Sequence, residues 1–246
     1  MSSKLSIIVC NHKDLEREPL HYPYIDVCNV SGEIKPNGYT HYDSDADINI
    51  SQFNNQYCEL SQLYSFWTSN LFTEYFGLCH YRRFFFLQEK NDSSVEINFQ
   101  SYKDYIYHVG PLESFDYDLV VPNEVNLNNH SIFSQFESIH PNLVPLFEEV
   151  CKVFDKNSGF NDSLLWFKNT NLLTPCNMFV SKREIANHWC SILFPTLFEV
   201  QSATHINLEG YDLRWAGFIS ERLFTLYIEN FVNKQNVKRY PILFLR

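Results

Sequence analysis

Gly77-Leu78-Cys79-His80-Tyr81-Arg82-Arg83-Phe84-Phe85-Phe86 decides how this chain is read. The apolar run leading into it, Tyr75 to Cys79, has the length and composition of a buried strand. It stops at an imidazole and two adjacent guanidiniums, and aromatic residues resume at once. Three potential positive charges at a strand terminus call for an anion in a protein of formal net charge -10. The planar fork of arginine matches a phosphate or a carboxylate. In open α/β sheets, ligands bind just beyond the carboxyl ends of the strands. His80, Arg82 and Arg83 therefore read as the phosphate end of a nucleotide or nucleotide-sugar site. The plainer alternative is an arginine pair bridged to acidic surface groups.

Composition narrows the function classes. At 246 residues the chain can bury a substantial core, and with 45% hydrophobic and 20% charged residues it is ordinary globular protein. Aromatics reach 17%, which fits an aromatic core and also a stacking surface for a base or sugar. No G-x-G-x-x-G and no G-x-x-x-x-G-K-[ST] occurs, so Rossmann and P-loop readings fall away. The acidic balance argues against nucleic acid, which needs broad basic patches, whereas one arginine doublet is enough for a pyrophosphate. The seven cysteines are scattered through apolar segments without C-x-x-C spacing, the pattern of reduced thiols in a cytoplasmic protein. Leu5-Ser6-Ile7-Ile8-Val9-Cys10 is too short, and too soon followed by charge, for a signal peptide. No stretch approaches the roughly 18 apolar residues of a membrane span. The expectation is a soluble, cytoplasmic protein that is peripheral at the inner membrane only through a partner.

Strands and helices alternate along the chain. Leu5 to Cys10 reads as a first buried strand ending in the polar Asn11-His12-Lys13-Asp14. Residues 29 to 51, with Ser31-Gly32 and Pro36-Asn37-Gly38, read as a long loop. Asn54 or Asn55 can cap a helix carrying Leu60, Leu63, Tyr64 and Trp67 at helical spacing. Residues 88 to 100 read as a mobile polar loop, and Asp118 to Pro122 as a short strand. A helix follows from Leu143, then a strand at Asn177-Met178-Phe179-Val180. Ser181-Lys182-Arg183-Glu184 has the form of a capping box for a helix to about Phe198 that Pro195 bends or ends. Gly217 to Phe231 is amphipathic, and Tyr240 to Leu245 is an apolar tail or strand. This alternation predicts an α/β layered domain.

These residues also match a known pattern. Asn49-Ile50-Ser51, Tyr57-Cys58-Glu59-Leu60, Leu63-Tyr64, Trp67, Gly77 to Phe84, Asn177-Met178-Phe179, Leu193-Phe194-Pro195 and Gly217 to Leu223 resemble a bacterial family long labelled a domain of unknown function. That family is common in capsule and O-antigen clusters, and the resemblance covers nearly the whole chain. Ser65-Phe66-Trp67-Thr68 departs from its more usual Trp-Ala-Trp-Lys, and the 85 to 130 region matches poorly.

The resemblance implies a single GT-A-like glycosyltransferase domain over 1–246, with a mixed, mostly parallel central sheet flanked by helices. It implies transfer of a hexose from a UDP-sugar donor to a surface polysaccharide or lipid-linked glycan, since some members are galactofuranosyltransferases. GT-A domains usually place Asp-x-Asp after a central strand, to hold a divalent cation on the donor pyrophosphate. His80-Tyr81-Arg82-Arg83 stands in that place here, so no metal cofactor is expected and the guanidiniums would neutralise the leaving UDP. The literal Asp-x-Asp strings in Asp43 to Asp47 sit in a polar loop. They also fail the calcium-loop pattern at Ile48 and Asn54.

The implied donor side comprises His12, Lys13, Asn49, Asn55, Glu59, His80, Arg82 and Arg83. Asn177 and His130 are acceptor candidates. Glu221 is the candidate general base for an inverting transfer, with Asp212 in reserve. Each has a plainer role: a solvated loop for His12 and Lys13, a favourable helix-dipole position for Glu59, a turn for Asn177, and a surface pair with Arg222 or Lys234 for Glu221. Two other functions remain open: a non-catalytic nucleotide- or glycan-binding subunit of a polysaccharide assembly complex, and a nucleotidyl- or phosphotransferase using the same arginines.

Overall fold

Leu5, Ile7 and Val9 face one hydrophobic core while Ile8 and Cys10 face another, the period-2 alternation of a strand covered on both sides. The computed structural model describes residues 4–14, 17–30, 35–88, 94–98, 102–204 and 208–246. Its strands are β1 (Leu5–Asn11), β2 (Tyr24–Cys28), β3 (His41–Tyr42), β4 (Tyr75–His80), β5 (Arg83–Phe85) and β6 (Ser94–Ile97), then β7 (Leu119–Pro122), β8 (Val125–Asn126), β9 (Leu172–Leu173), β10 (Phe179–Lys182), β11 (Val237–Tyr240) and β12 (Ile242–Leu245). Its helices are α1 (Asn54–Tyr57), α2 (Leu60–Thr68), α3 (Lys103–Ile106), α4 (Gly110–Glu113), α5 (Ile132–Ile139), α6 (Val144–Ser158), α7 (Ser163–Asn169), α8 (Arg183–Ala203) and α9 (Trp215–Phe231).

The main sheet runs β11-β7-β10-β4-β1-β2-β3, and β5, β12 and β6 extend it from the end of β4. β4, β1, β2 and β3 are mutually parallel, as are β7 with β11 and β6 with β12. β10 inserts antiparallel between β4 and β7. The larger core packs α2, α5, α6, α8 and α9 against one face, with Trp215, Phe147 and Phe154 fully buried. The smaller core collects Phe84, Phe85, Ile106, Leu112 and β12 on the other. The parallel strands β4, β1 and β2 thus end at one edge, in His80, Asn11 and Cys28.

Local signals were overridden in several places. Neither Asn54 nor Asn55 caps the helix: α1 follows Phe53, the Asn54 amide instead donates to the Val30 carbonyl at 2.6 Å, and Cys58 at φ 52° separates α1 from α2. The 181–184 capping box does not form. Ser181 pairs within the sheet with Phe76 and Leu119, and α8 begins without a side-chain cap. α8 also continues through Pro195 to Ala203. The 88–100 loop contains β6, whose partner β12 lies at the far end of the chain; residues 89–93 and 99–100 lie outside the described residues. Within the 29–51 loop, Ser31-Gly32 also lies outside them, and β3 adds a short edge strand. The strand expected at 177–180 starts two residues later, because Cys176 and Asn177 both adopt positive φ.

Candidate active site

A cleft of about 820 Å³ opens at the shared carboxyl edge of β4, β1 and β2. Chain polarity alone brings Asn11 and His12 from β1, Asn29 from β2, and His80 to Arg83 from β4 to one wall. The α1–α2 corner contributes Asn54, Asn55, Cys58 and Glu59, and Arg214 arrives from the turn preceding α9.

Positive charge dominates this cleft. Arg82 lies over the Tyr81 ring at 5.3 Å, and Arg83 over Phe244 at 5.7 Å. Arg214 lies over both Tyr211 and Phe218, at 5.6 and 5.5 Å, and its Nε donates to Cys58 Sγ at 3.2 Å. None of these guanidiniums has a carboxylate partner among the described residues. Arg17, Arg222, Arg239 and Arg246 all do, the last pairing with Glu96 on the cleft rim. In an acidic chain carboxylates are plentiful, yet these three guanidiniums face one cleft with none as partner among the described residues, an arrangement suited to an anion. His12 meets Tyr81 edge-on at 5.1 Å; burial, then Lys13, Arg214 and Arg82, lower its pKa below the ordinary histidine value. Burial raises the nearby thiols, Cys58 to about 11 and Cys176 to about 12, which keeps them protonated and unreactive at neutral pH.

Glu59 sits in the cleft wall, 9% exposed. Its Oε1 accepts from Asn177 Nδ2 at 2.8 Å, with His80 Nε2 at 4.0 Å. A carbonyl can only accept, so the His80 Nε2–H donates to the Cys176 carbonyl at 2.6 Å, which fixes the tautomer. On the β2 side, Asn29 donates to the Cys58 carbonyl at 2.6 Å, while its own Oδ1 is buried without a partner among the described residues.

The expected site residues thus divide. His12, Asn55, Glu59, His80, Arg82 and Arg83 converge on the cleft. Lys13, Asn49, Asn177, His130, Glu221 and Asp212 are not among its lining residues. Asn49 closes a local turn, accepting from the Ser51 hydroxyl and amide and donating to the Ala46 carbonyl. The Lys13 carbonyl accepts from the Tyr39 hydroxyl. His130 lies exposed in the link between β8 and α5. Asn177 points inward: besides Glu59 it donates to the Gly217 carbonyl and accepts from Ser220, so both amide hydrogens are spent within the protein. Both Glu221 oxygens are committed, one to the Cys176 amide at 2.5 Å and the other to Arg222 at 2.6 Å. Asp212 accepts from His140 Nδ1 at 2.9 Å and from Asn142 at 3.2 Å.

The Asp43 to Asp47 strings do not fit a divalent cation. Asp43 is fully buried and binds the Val30 amide and the Ser61 hydroxyl, while Asp45 pairs with Lys35. Neither lines the cleft. Sequence reading missed Arg214, carried there by the turn before α9, and Asn29, which directly follows β2. For Asn29 a signal existed: it ends a β-branched apolar run, as Asn11 does in β1.

No curated protein matches the chain. A solved structure does: the apo form of WbbM, a bifunctional glycosyltransferase, superposes with a TM-score of 0.81 at 20% sequence identity. The match covers 99% of this chain and 45% of that one, so this chain spans less than half of the enzyme it resembles. The GT-A-like α/β fold expected from the sequence is therefore the fold it has. From residue 6 to residue 234 the sequence also matches one family throughout, and the chain belongs to that family, the Domain of unknown function (DUF4422).

Proposed function

We propose that this chain is a glycosyltransferase, a single domain over residues 1–246, that moves a hexosyl group from a UDP-linked donor to a glycan or lipid-linked glycan acceptor. Galactofuranose is the first donor sugar to test. The observation that carries the reading is the convergence of Arg82, Arg83 and Arg214, all without carboxylate partners among the described residues, on the carboxyl edge of parallel strands. That WbbM is a glycosyltransferase supports the same reaction class.

On this reading the guanidiniums bind the donor diphosphate and take up the charge that accumulates on UDP as the glycosidic bond breaks. They do so without a divalent metal. The transfer inverts the anomeric centre through direct attack by an acceptor hydroxyl.

Incubation with a panel of UDP-hexoses in EDTA tests this. The expected result is UDP release from one donor, slow with water and faster with acceptor glycans. UDP binding without turnover from any donor would replace the enzyme with a binding subunit. Release of phosphate or diphosphate would indicate a phospho- or nucleotidyltransferase.

A further inference from the structure

An inverting transfer is helped by a base with a free lone pair facing the acceptor hydroxyl, and among carboxylates the cleft offers few. Among the described lining residues the carboxylates are Glu59 and Glu96, and Glu96 is tied to Arg246 at 2.5 Å. Glu221 and Asp212 have both oxygens engaged away from the cleft. Glu59 differs. One oxygen is held by Asn177, while Oε2 accepts no hydrogen bond from the described residues and is not sealed into the core.

The backbone around this carboxylate is unusual. Cys58, immediately before it, has φ 52° and ψ -127°, a region that side chains with a Cβ avoid. Asn177, whose amide holds it, and the adjoining Cys176 have φ 50° and 77°. Sparsely populated conformations persist where the surroundings over-determine them, and they gather at sites where a group must be presented in one orientation. Each of the three has an evident task. The Cys58 conformation separates α1 from α2 and sets Glu59 at the start of α2. The Cys176 carbonyl fixes the His80 ring, and its amide is braced by Glu221. The Asn177 amide orients Glu59.

Resting on the glycosyl-transfer reading above, we infer that Glu59 is the catalytic base of the transfer and that Asn177 is the residue that positions it. Glu59 Oε2 takes the proton of the acceptor hydroxyl. The freed oxygen lone pair forms the new bond to the anomeric carbon. The bond from that carbon to the donor diphosphate breaks, with its electron pair leaving on UDP. The proton then passes from Glu59 to solvent.

The test uses UDP release from the donor that the unaltered chain turns over, with UDP binding measured in parallel. Glu59→Gln retains the acceptor oxygen for Asn177 but cannot take a proton. Its turnover should fall about 10²- to 10⁴-fold, the range of a lost general base, with UDP affinity unchanged. Asn177→Gly relieves the positive φ yet removes the amide, so kcat should fall while the donor KM holds; full activity in this variant would reduce Asn177 to a turn residue. Azide provides the decisive arm, because the anion attacks without giving up a proton. Glu59→Ala should regain UDP release with azide and form an inverted glycosyl azide. Normal turnover in Glu59→Gln, or a UDP-binding Glu59→Ala that azide cannot restore, overturns the assignment. Absence of UDP release from every donor by the unaltered chain removes the transferase reading itself, a different result from either.

Discussion

A guanidinium in a cleft is an open valence for an anion, and this cleft has three such groups without carboxylate partners among the described residues. Replacing Arg82, Arg83 or Arg214 with Ala should each lower turnover by about 10²-fold, as for loss of one preorganised donor. Lys should rescue only in part, because it lacks the planar fork. Titration with UDP, alongside steady-state rates, checks this, and an unaffected Arg214→Ala would take that residue out of the diphosphate site. His12 adds a pH signature. Its lowered pKa leaves it neutral at pH 7, while a bound diphosphate favours the cation and raises the pKa, so the complex holds more protons than the free protein. UDP affinity should therefore gain an increment as pH falls through the raised value of the complex towards the lowered one of the free protein. His12→Gln should lose that increment, and taking the difference between the two proteins cancels the nucleotide's own titration. In the free protein the sign is opposite: the folded form holds fewer protons, so the stability present above the unfolded pKa is lost as pH falls through the folded one. The doublet Arg82-Arg83 was legible because it follows its own strand. Arg214 was not, since the contact that sets it beside Cys58 spans 156 residues.

At the scale of elements, one glycine governs the centre of the sheet. A Cβ on Gly77 would lie 2.7 Å from Val180 Cγ2 and 2.9 Å from the Phe179 carbonyl, in the register that pairs β4 with β10. One of these obstacles is backbone and cannot rotate aside. Gly77→Ala should destabilise the fold by about 1–3 kcal/mol, the usual cost of overpacking, as measured by denaturant unfolding. It should also lower turnover, because Asn177 lies two residues before β10; unchanged stability would show that the two strands separate freely. The apolar strands β1, β4 and β7 and the helices α6 and α9 were readable from the sequence, since burial on both faces or one stripe leaves a periodic mark. The capping box at Ser181 failed for a physical reason. A cap is worth about 1 kcal/mol, and the ladder partners on either side of Ser181 outweigh it. The break at Cys58 was hidden because Leu60, Leu63, Tyr64 and Trp67 keep helical spacing through α2, and nothing local marks the turn before it. β6 was hidden because its pairing partner lies in the last residues of the chain.

For the molecule as a whole, the charge distribution sets the last prediction. The net charge of -10 would repel a nucleoside diphosphate, so attraction has to be local, inside the cleft and within a Debye length of about 8–10 Å at ordinary salt. The guanidiniums that provide it come from two separate places, the β4–β5 turn and the turn before α9. The sheet and both cores must therefore be formed before the site exists. The resemblance to a family made the fold and the proposed reaction class legible in the sequence, but the convergence of these groups was not, because only the folded sheet edge assembles them. If they supply the charge that a divalent ion supplies elsewhere, the transfer should proceed in excess EDTA at the rate seen without it. Added Mg²⁺ or Mn²⁺ should give no large stimulation, because each would compete with the guanidiniums for the same phosphate oxygens. Raising the salt should weaken donor binding moderately, since partly buried charges are screened less than exposed ones. Activity abolished by EDTA and restored by Mn²⁺ or Mg²⁺ would mean that the cationic wall does not neutralise the diphosphate alone. The metal would then have to be sought at Glu59 and His80, the adjacent carboxylate and imidazole of the cleft, and Glu59 could no longer serve as a freely available base.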